Sequence, residues 1–220
     1  MTPASVHALV RSLEDKDGYT AAHTWRVVLY TRALAERFGL EPAIIERLSI
    51  GAALHDIGKI DIPDRILKKP GPLNEDEWAI MRRHTLLGLE HLRTAGIDDP
   101  LVCELVRSHH ERADGLGYPD GLAGNDIPRA ARFFAVIDAF DAMTSARPYF
   151  DRSGPGAGDI AAREIERGRG TRYCGLCVDA FLDLYRSGRL AWVLEYFNDR
   201  CDLPAYGQIP PAAIHASRLA

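Results

Sequence analysis

The sequence has no long apolar run and no surplus of basic residues. Nowhere does the 220-residue chain approach the ~20 consecutive apolar positions that a bilayer-spanning helix requires. Its formal net charge of −4 argues against binding to polymeric nucleic acid, since proteins that do so are usually basic. The N-terminal segment also lacks the basic and then apolar layout of a signal peptide. We therefore expect a cytoplasmic protein whose partners include neither a membrane nor polymeric nucleic acid.

Cysteine is scarce as well. The four cysteines are too few for the disulfide framework of a small secreted protein. Cys174 and Cys177 form a C-x-x-C motif, but no second pair of such ligands accompanies them, which disfavours a zinc site. We interpret the two residues as small apolar side chains at the start of a helix.

Apolar residues recur at helical spacing along most of the chain, and no convincing strand alternation or internal repeat interrupts them. Pro42 suits the first turn of a helix, and Asn74 suits an N-cap because three acidic residues follow it. The pattern predicts an all-α protein. We predict helices at 6–15, 20–38, 42–55, 64–67 (one short turn), 74–93, 100–110, 129–144, 160–167, 176–187 and 190–197.

Histidine and aspartate occur where an ordinary helix would not place them. His109 and His110 adjoin at a helix end, although neighbouring helical residues point about 100° apart and rarely face one core. His55-Asp56 ends another apolar helix, and Asp138 lies inside the most apolar one, where we expect it to be buried and to need a cation. Imidazole and carboxylate together suit iron, manganese, zinc, nickel or cobalt. His7, His91 and His215 are interpreted as ordinary side chains.

Several motifs follow one another in order from Asp17 to about Leu184. They are Tyr19-Thr20-Ala21-Ala22-His23-Thr24-Trp25-Arg26-Val27, His55-Asp56-Ile57-Gly58-Lys59-Ile60, Ile62-Pro63-Asp64, Leu67-Lys68-Lys69-Pro70-Gly71, His84, His109-His110-Glu111-Arg112-Ala113-Asp114-Gly115-Leu116-Gly117-Tyr118-Pro119 and Asp138-Ala139-Phe140-Asp141-Ala142-Met143-Thr144-Ser145-Ala146-Arg147-Pro148-Tyr149. In these motifs the chain resembles the HD-GYP family, a branch of the HD-domain metal-dependent phosphohydrolases. The resemblance implies an HD-domain helical bundle with HD-GYP insertions, and we assign 1–16 to an N-terminal helix, 17–187 to the HD-GYP domain and 188–220 to a C-terminal helix and tail.

The resemblance also implies a metal centre of two or three ions. Asp56 would bridge two of them. Some members of the family hold a third ion with a glutamate four residues before the first ligand histidine, where this chain has Tyr19. We therefore predict two divalent ions, iron or manganese. The implied ligands are His23, His55, Asp56 and Asp138 for the basic HD set, with His84, His109 and His110 for the second metal.

The activity that the resemblance implies is hydrolysis of cyclic di-GMP to pGpG or GMP by attack of a metal-bridging hydroxide on phosphorus. Besides Asp56, Lys59 is assigned to catalysis, either contacting the phosphate or assisting the leaving oxygen; the alternative is a solvated surface lysine. Arg147 is assigned to substrate binding, the alternative being an ion pair with an acid such as Asp141. The family often has a second basic residue three positions after this arginine, where this chain has Phe150.

The glycine-rich loop after His110 has two candidate roles. Tyr118 is predicted to rim the site and bind substrate, and the Gly117-Tyr118-Pro119 segment is predicted to dock a partner such as a diguanylate cyclase domain. A plain loop without functional contacts is the alternative. Glu111, with Arg112 and Asp114, is expected to orient the loop through hydrogen bonds.

Two alternatives to cyclic di-GMP hydrolysis remain open. The same site could act on another nucleotide, such as cyclic GMP-AMP, pGpG or a phosphomonoester. The chain could also be a module that binds a nucleotide or partner without turnover. The C-terminal part departs from the family pattern, because Cys174 stands where a helix-capping aspartate is common, a change worth about 1 kcal/mol of stability. We also expect no room for a sensory domain before Tyr19.

Overall fold

The computed structural model describes residues 2–17, 21–147, 150–151 and 156–197. This part of the chain is almost entirely helical, as predicted. Its helices are α1 (Pro3–Asp17), α2 (Ala21–Arg37), α3 (Pro42–Leu54), α4 (Asp64–Leu67), α5 (Glu75–Arg82), α6 (His84–Thr94), α7 (Pro100–Ser108), α8 (Arg129–Thr144), α9 (Ala157–Arg167), α10 (Gly175–Arg186) and α11 (Ala191–Tyr196). Short 3-10 segments cover Ile57–Asp61 and Gly124–Asp126, and strands β1 (Ala146–Arg147) and β2 (Phe150–Asp151) pair in an antiparallel hairpin.

Helix α2 lies at the centre of the bundle and packs against α3, α8 and α10. Its Trp25 and Tyr30 are fully buried, and the Tyr30 ring meets Phe140 of α8 edge-on at 5.6 Å. A helix that is apolar around most of its surface is stable only when it is covered on all sides. Most residues of α2 and of α8 are buried, so the side chains that these helices carry are held in the core.

The first and last described helices belong to this same core. Val6 and Val10 of α1 and Val193 of α11 are buried in the hydrophobic cluster that contains α2 and α8. The domain boundaries at 16 and 187 stay a prediction. No helix in the described ranges is both long enough and apolar enough to cross a membrane.

One predicted helix is two helices. The expected single helix over 74–93 starts as predicted, with Asn74 and Glu77 forming a reciprocal capping box, but it breaks at Arg83. At the break the His84 ring and the Thr85 hydroxyl donate to the carbonyls of Met81 and Arg82, at 2.8 and 3.2 Å. These side chains satisfy carbonyls at the end of α5, so the helix axis can change direction there and His84 can point inward.

Candidate metal centre

Three histidines lie just beyond helix ends, where backbone carbonyls lack helical partners. In each, ring Nδ1 donates to the carbonyl three residues earlier: His55 to Ala52 at 2.8 Å, His84 to Met81 at 2.8 Å and His109 to Val106 at 3.0 Å. Because a carbonyl can only accept, Nδ1 carries the proton. In the neutral ring Nε2 is then left with a free lone pair. The helix ends thus fix both the tautomer and the direction of each ring.

His23 is oriented by a carboxylate instead. It lies in the first turn of α2, and its Nδ1 is 2.7 Å from Oδ2 of Asp141 on α8. Arg26, one turn further along α2, donates to the same carboxylate and to the carbonyl of Phe197 at 2.8 Å. Burial would raise the pKa of Asp141, but the charges of Arg26 and His23 outweigh it and hold that pKa well below its usual range. Asp141 is therefore an ionised support for His23.

The prediction that Asp138 is the buried carboxylate of α8 is wrong. The Asp138 side chain is 17% exposed, whereas that of Asp141 is 1% exposed. Three residues apart on a helix, the two carboxylates lie on neighbouring parts of one face, and Asp141 points deeper into the bundle. Asp138 faces the site, with Oδ1 3.7 Å from His55 Nε2. Both acids lie in the most apolar helix of the sequence, which predicts Asp138 alone as a ligand.

Two groups of possible metal ligands share one residue, Asp56. The first group consists of Asp56, His84, His109 and His110, and the second of His23, His55 and Asp56; within each group the ligand atoms lie within 4.8 Å of one another. Asp56 Oδ1 is 3.4 Å from His84 Nε2, whereas Asp56 Oδ2 is 3.2 Å from His55 Nε2. One carboxylate oxygen thus faces each group.

His110 joins the first group although it is adjacent to His109. Helix α7 ends at Ser108, and Glu111 N–H donates to the Ser108 carbonyl at 2.9 Å. Beyond the helix the 100° separation of neighbouring residues no longer holds. The rings of His109 and His110 therefore lie side by side, with centres 4.1 Å apart.

The first group brings acceptor atoms close to one another. His84 Nε2 and His109 Nε2 are 3.4 Å apart, and both carry lone pairs because their Nδ1 atoms are the protonated ones. Asp56 Oδ1, another acceptor, is 3.4 Å from His84 Nε2 and 4.0 Å from His109 Nε2. Lone pairs that face each other in a buried site repel, and a cation between them removes the repulsion. The residues present therefore fit a divalent metal ion.

The protonation equilibria favour the same fit. Burial lowers the pKa of His84 to about 4 and also lowers the pKa values of His109 and His110, so these rings are neutral, as metal ligands must be. At His55, burial lowers the pKa, but the charge of Asp56 outweighs it and raises the value. His55 Nε2 is buried and makes no hydrogen bond. The second group therefore also favours positive charge near this nitrogen.

Lys59 is not a solvated surface lysine. Its side chain is 15% exposed, and Nζ donates to Asp56 Oδ2 at 2.7 Å. Burial would raise the pKa of Asp56, but Lys59 and His55 outweigh it and hold the value well below its usual range. Lys59 thus keeps Asp56 ionised. Its contact with a phosphate stays a prediction.

Gly58 brings the two groups together. A Cβ atom at this position would lie 2.0 Å from the His84 carbonyl oxygen and 2.4 Å from the Gly88 amide nitrogen. Only glycine allows the 3-10 segment to lie directly against the first turn of α6. This contact sets the distance between Asp56 and His84.

The loop after His110 folds back over the first group. The buried Glu111 carboxylate accepts from the amides of Asp120 at 2.7 Å and Leu122 at 3.0 Å, which confirms that it orients the loop. The Tyr118 ring lies 4.8 Å from that of His110, centre to centre. The Arg82 guanidinium carbon lies over the Tyr118 ring, 5.6 Å from its centre. Tyr118 therefore lies against His110, and its place at the rim of a substrate site stays a prediction.

Some predicted residues lie outside the described part of the structure. Tyr19 is among them, as are Pro148 and Tyr149. For Arg147 and Phe150 the structure describes the backbone, which pairs in the β1–β2 hairpin, but not the side chains. The substrate-binding role of Arg147 stays a prediction.

Comparison with known proteins gives consistent matches. The profile of the HD domain matches residues 8–173. The chain is 43% identical over 175 residues to the cyclic di-GMP phosphodiesterase response regulator RpfG of Xanthomonas campestris pv. campestris, a match that covers 79% of this chain and 46% of that protein. It is 42% identical over 147 residues to 3'3'-cGAMP-specific phosphodiesterase 2 of Vibrio cholerae, covering 66% of this chain and 28% of that one. The chain thus spans less than half the length of these curated relatives.

The fold also has a solved counterpart. The crystal structure of a cyclic GMP-AMP specific phosphodiesterase of V. cholerae, V-cGAP3, superposes with a TM-score of 0.67. That superposition covers 88% of this chain and 50% of the other, at 16% sequence identity. At this identity the likeness establishes the helical fold alone.

Proposed function

Because this chain belongs to the HD domain family, within its HD-GYP branch, we propose that it is a metal-dependent phosphodiesterase that hydrolyses cyclic di-GMP to pGpG or GMP. RpfG, which is similar over most of this chain, is named as a cyclic di-GMP phosphodiesterase. That relative is more than twice as long as the match, so the activity of the whole protein is part of the proposal.

The observation that carries the proposal is the position of Asp56 between two groups of histidines. Its Oδ1 faces His84, and its Oδ2 faces His55, at 3.4 and 3.2 Å from the respective Nε2 atoms. Asp56 would therefore serve as a ligand common to both groups. When bound, two such ions would supply a water of lowered pKa and neutralise the charge of a phosphodiester during in-line displacement.

We assign all seven predicted ligands to this centre and infer two ions per chain. The chemistry of the donors, imidazole nitrogens with few carboxylates, suits iron or manganese better than magnesium or calcium. Asp138, partly exposed and 3.7 Å from His55 Nε2, completes the second group. The ligand set is His23, His55, Asp56, His84, His109, His110 and Asp138.

Three residues of the chain are assigned to the substrate. Lys59 Nζ donates a hydrogen bond to Asp56 at the edge of the site. The same ammonium group is assigned to donate a second hydrogen bond to a bound phosphate. Tyr118, whose ring lies against that of His110, is assigned to contact with a guanine base. Arg147, in the hairpin that follows α8, is assigned to the second phosphate or a guanine edge.

Cyclic GMP-AMP is the second candidate substrate, because the V. cholerae relative at 42% identity is named as specific for it. The two dinucleotides share their phosphodiesters and differ in one base, so the metal centre does not distinguish them. Parallel assays on cyclic di-GMP, cyclic GMP-AMP, pGpG and a nucleotide monophosphate decide which is turned over. Tight binding without hydrolysis of any of them, in protein loaded with Fe(II) or Mn(II), would instead support a non-catalytic binding module.

The test of the proposed function is hydrolysis by Asp56→Ala beside a matched control. Asp61→Ala removes an exposed carboxylate five positions away. In the described part of the chain, the side-chain hydrogen bond of this carboxylate is to His91. We expect Asp56→Ala to abolish product formation, and we expect Asp61→Ala to retain it. Undiminished turnover by Asp56→Ala would refute the assignment.

A partner and a location complete the proposal. The loop of Gly117, Tyr118 and Pro119 is proposed to dock a diguanylate cyclase domain, and the exposed Leu116 beside it offers an apolar contact. A binding assay with Leu116→Ser tests this contact, since loss of binding is expected. The cytoplasmic location stays a prediction.

A further inference from the structure

Two cysteines lie together at the N-terminus of α10, away from the metal centre. Cys174 is the N-cap of this 12-residue helix and Cys177 follows three positions later, in its first turn. The Cys174 side chain makes no capping hydrogen bond to the helix. Both cysteines are free thiols in the structure.

The geometry points to a redox-active dithiol: we propose that Cys174 and Cys177 form a reversible intramolecular disulfide by exchange with a small-molecule disulfide of the glutathione class. Two cysteines at the N-cap and third position of a helix are close enough for a bond whose Cα atoms usually lie about 4.4–6.8 Å apart. A C-x-x-C pair at a helix N-terminus is also a favourable environment for thiol exchange.

The two thiols differ in a way that sets the order of events. Cys174 is half-buried and can be reached by a disulfide in solution, whereas Cys177 is 8% exposed. Burial, and after it the neighbouring Cys174, raise the pKa of Cys177 to about 12. Cys174, the more accessible of the two, is therefore the attacking thiol. Once its sulfur is blocked, the neighbouring Cys177 is the resolving thiol.

The exchange balances in two steps. The Cys174 thiolate attacks one sulfur of the disulfide RSSR, which forms a Cys174–SR bond and releases RS⁻. Cys177 then loses its proton and attacks Cys174 Sγ, expelling the second RS⁻. Two protein thiols are oxidised by two electrons, and one RSSR is reduced to two RSH.

The site can be tested independently of the metal centre. Neither of the two groups of metal ligands found in the described chain contains a cysteine. The turn before Cys174 contacts the loop after His110 through backbone hydrogen bonds, from Ala113 to Arg172 at 3.2 Å and from Asp114 to Thr171 at 2.8 Å. Thiol chemistry at Cys174 can therefore be followed whether or not the protein hydrolyses a nucleotide.

The experiment equilibrates the full-length chain in glutathione buffers of stepped ratio, blocks free thiols by alkylation and digests the protein with trypsin. The readout is specific for this pair, because Cys174 and Cys177 are the only cysteines of the tryptic peptide 173–186, while Cys103 and Cys201 fall in other peptides. We expect this peptide to pass from two alkyl groups to none, with the loss of two hydrogens. The oxidised fraction should follow [GSSG]/[GSH]², as an intramolecular disulfide requires.

Two matched variants define the roles. In Cys177→Ser the half-buried thiol of Cys174 should accumulate as a mixed disulfide with glutathione, because nothing resolves it. In Cys174→Ser the buried Cys177 should stay reduced and unmodified over the same range of buffers. The proposal is overturned if peptide 173–186 keeps both thiols at the highest ratio of oxidised glutathione, or if the native chain stops at a mixed disulfide.

Discussion

Gly58→Ala should remove one of the two metal ions and leave the other. The added Cβ would lie 2.0 Å from the His84 carbonyl oxygen, so that oxygen must move by about 1.4 Å to reach an ordinary contact of 3.4 Å. Both groups that the Cβ meets, at His84 and Gly88, are backbone and cannot swing aside. Metal sites tolerate distance errors of only about 0.2 Å. His84 should therefore be lost as a ligand.

The energetic size of this change can be bracketed. Overpacking against a rigid neighbour costs about 1–3 kcal/mol. Replacing a glycine by alanine returns about 0.5–1 kcal/mol of chain entropy in regular structure. A net loss of about 0–2.5 kcal/mol lowers the melting temperature of a chain of this size by at most about 10 °C. The variant should therefore fold, and its metal content can be measured.

Metal analysis of anaerobically purified protein is the assay. Gly58→Ala should hold about one ion per chain, in the group formed by His23, His55 and Asp56. Gly51→Ala is the control, because its Cβ would meet only the flexible side chain of Leu105, at 2.9 Å. We expect the control to keep the wild-type content. Two ions in Gly58→Ala, at an unchanged melting temperature, would refute the reasoning.

Three further predictions concern elements that support the site. Asp99 caps α7 and pairs with Arg47 at 2.7 Å, so Asp99→Ala should destabilise the fold by about 1 kcal/mol. Burial would raise the pKa of Asp99, but the hydrogen bond from Arg47 outweighs burial and lowers that pKa. The charge of Asp99 therefore stabilises the fold above about pH 4. In urea titrations the stability difference between the wild-type chain and Asp99→Asn should vanish as the pH falls below that value. Glu111→Ala leaves the Leu122 amide without its partner, so hydrogen exchange of the 120–122 amides should accelerate, whereas an unchanged rate would contradict the anchoring role. Cys174→Asp, which supplies the missing cap, should raise the unfolding free energy under reducing conditions by about 1 kcal/mol over Cys174→Ala.

The helices could be predicted from the sequence because their signals are local. Apolar spacing, the acidic turn after Asn74 and the start at Pro42 each act within a few residues, and the structure confirms the helices they indicate. The break at Arg83 could not be predicted this way. It depends on the approach of Gly58 to His84, a contact between segments distant in the sequence.

The candidate ligands were likewise found from their residue types and order, but their supports were not. The supporting role of Asp141 could not be predicted, because its partners His23 and Arg26 lie more than a hundred residues earlier. The depth of Asp138 was misjudged because apolar neighbours in sequence do not tell which face of α8 a carboxylate occupies. The inward direction of both His109 and His110 depends on the end of α7 at Ser108, which sequence spacing located only to within two residues.

The central claim is that Asp56 is shared between two metal ions, and the metal content of Asp56→Ala tests it most directly. Wild-type protein and the Asp61→Ala control should each hold two ions of iron or manganese per chain after anaerobic purification. Asp56→Ala should hold fewer than one, because both groups lose an oxygen ligand with a single substitution. Retention of two ions by a folded Asp56→Ala variant, or three tightly held ions in the wild-type chain, would contradict the account.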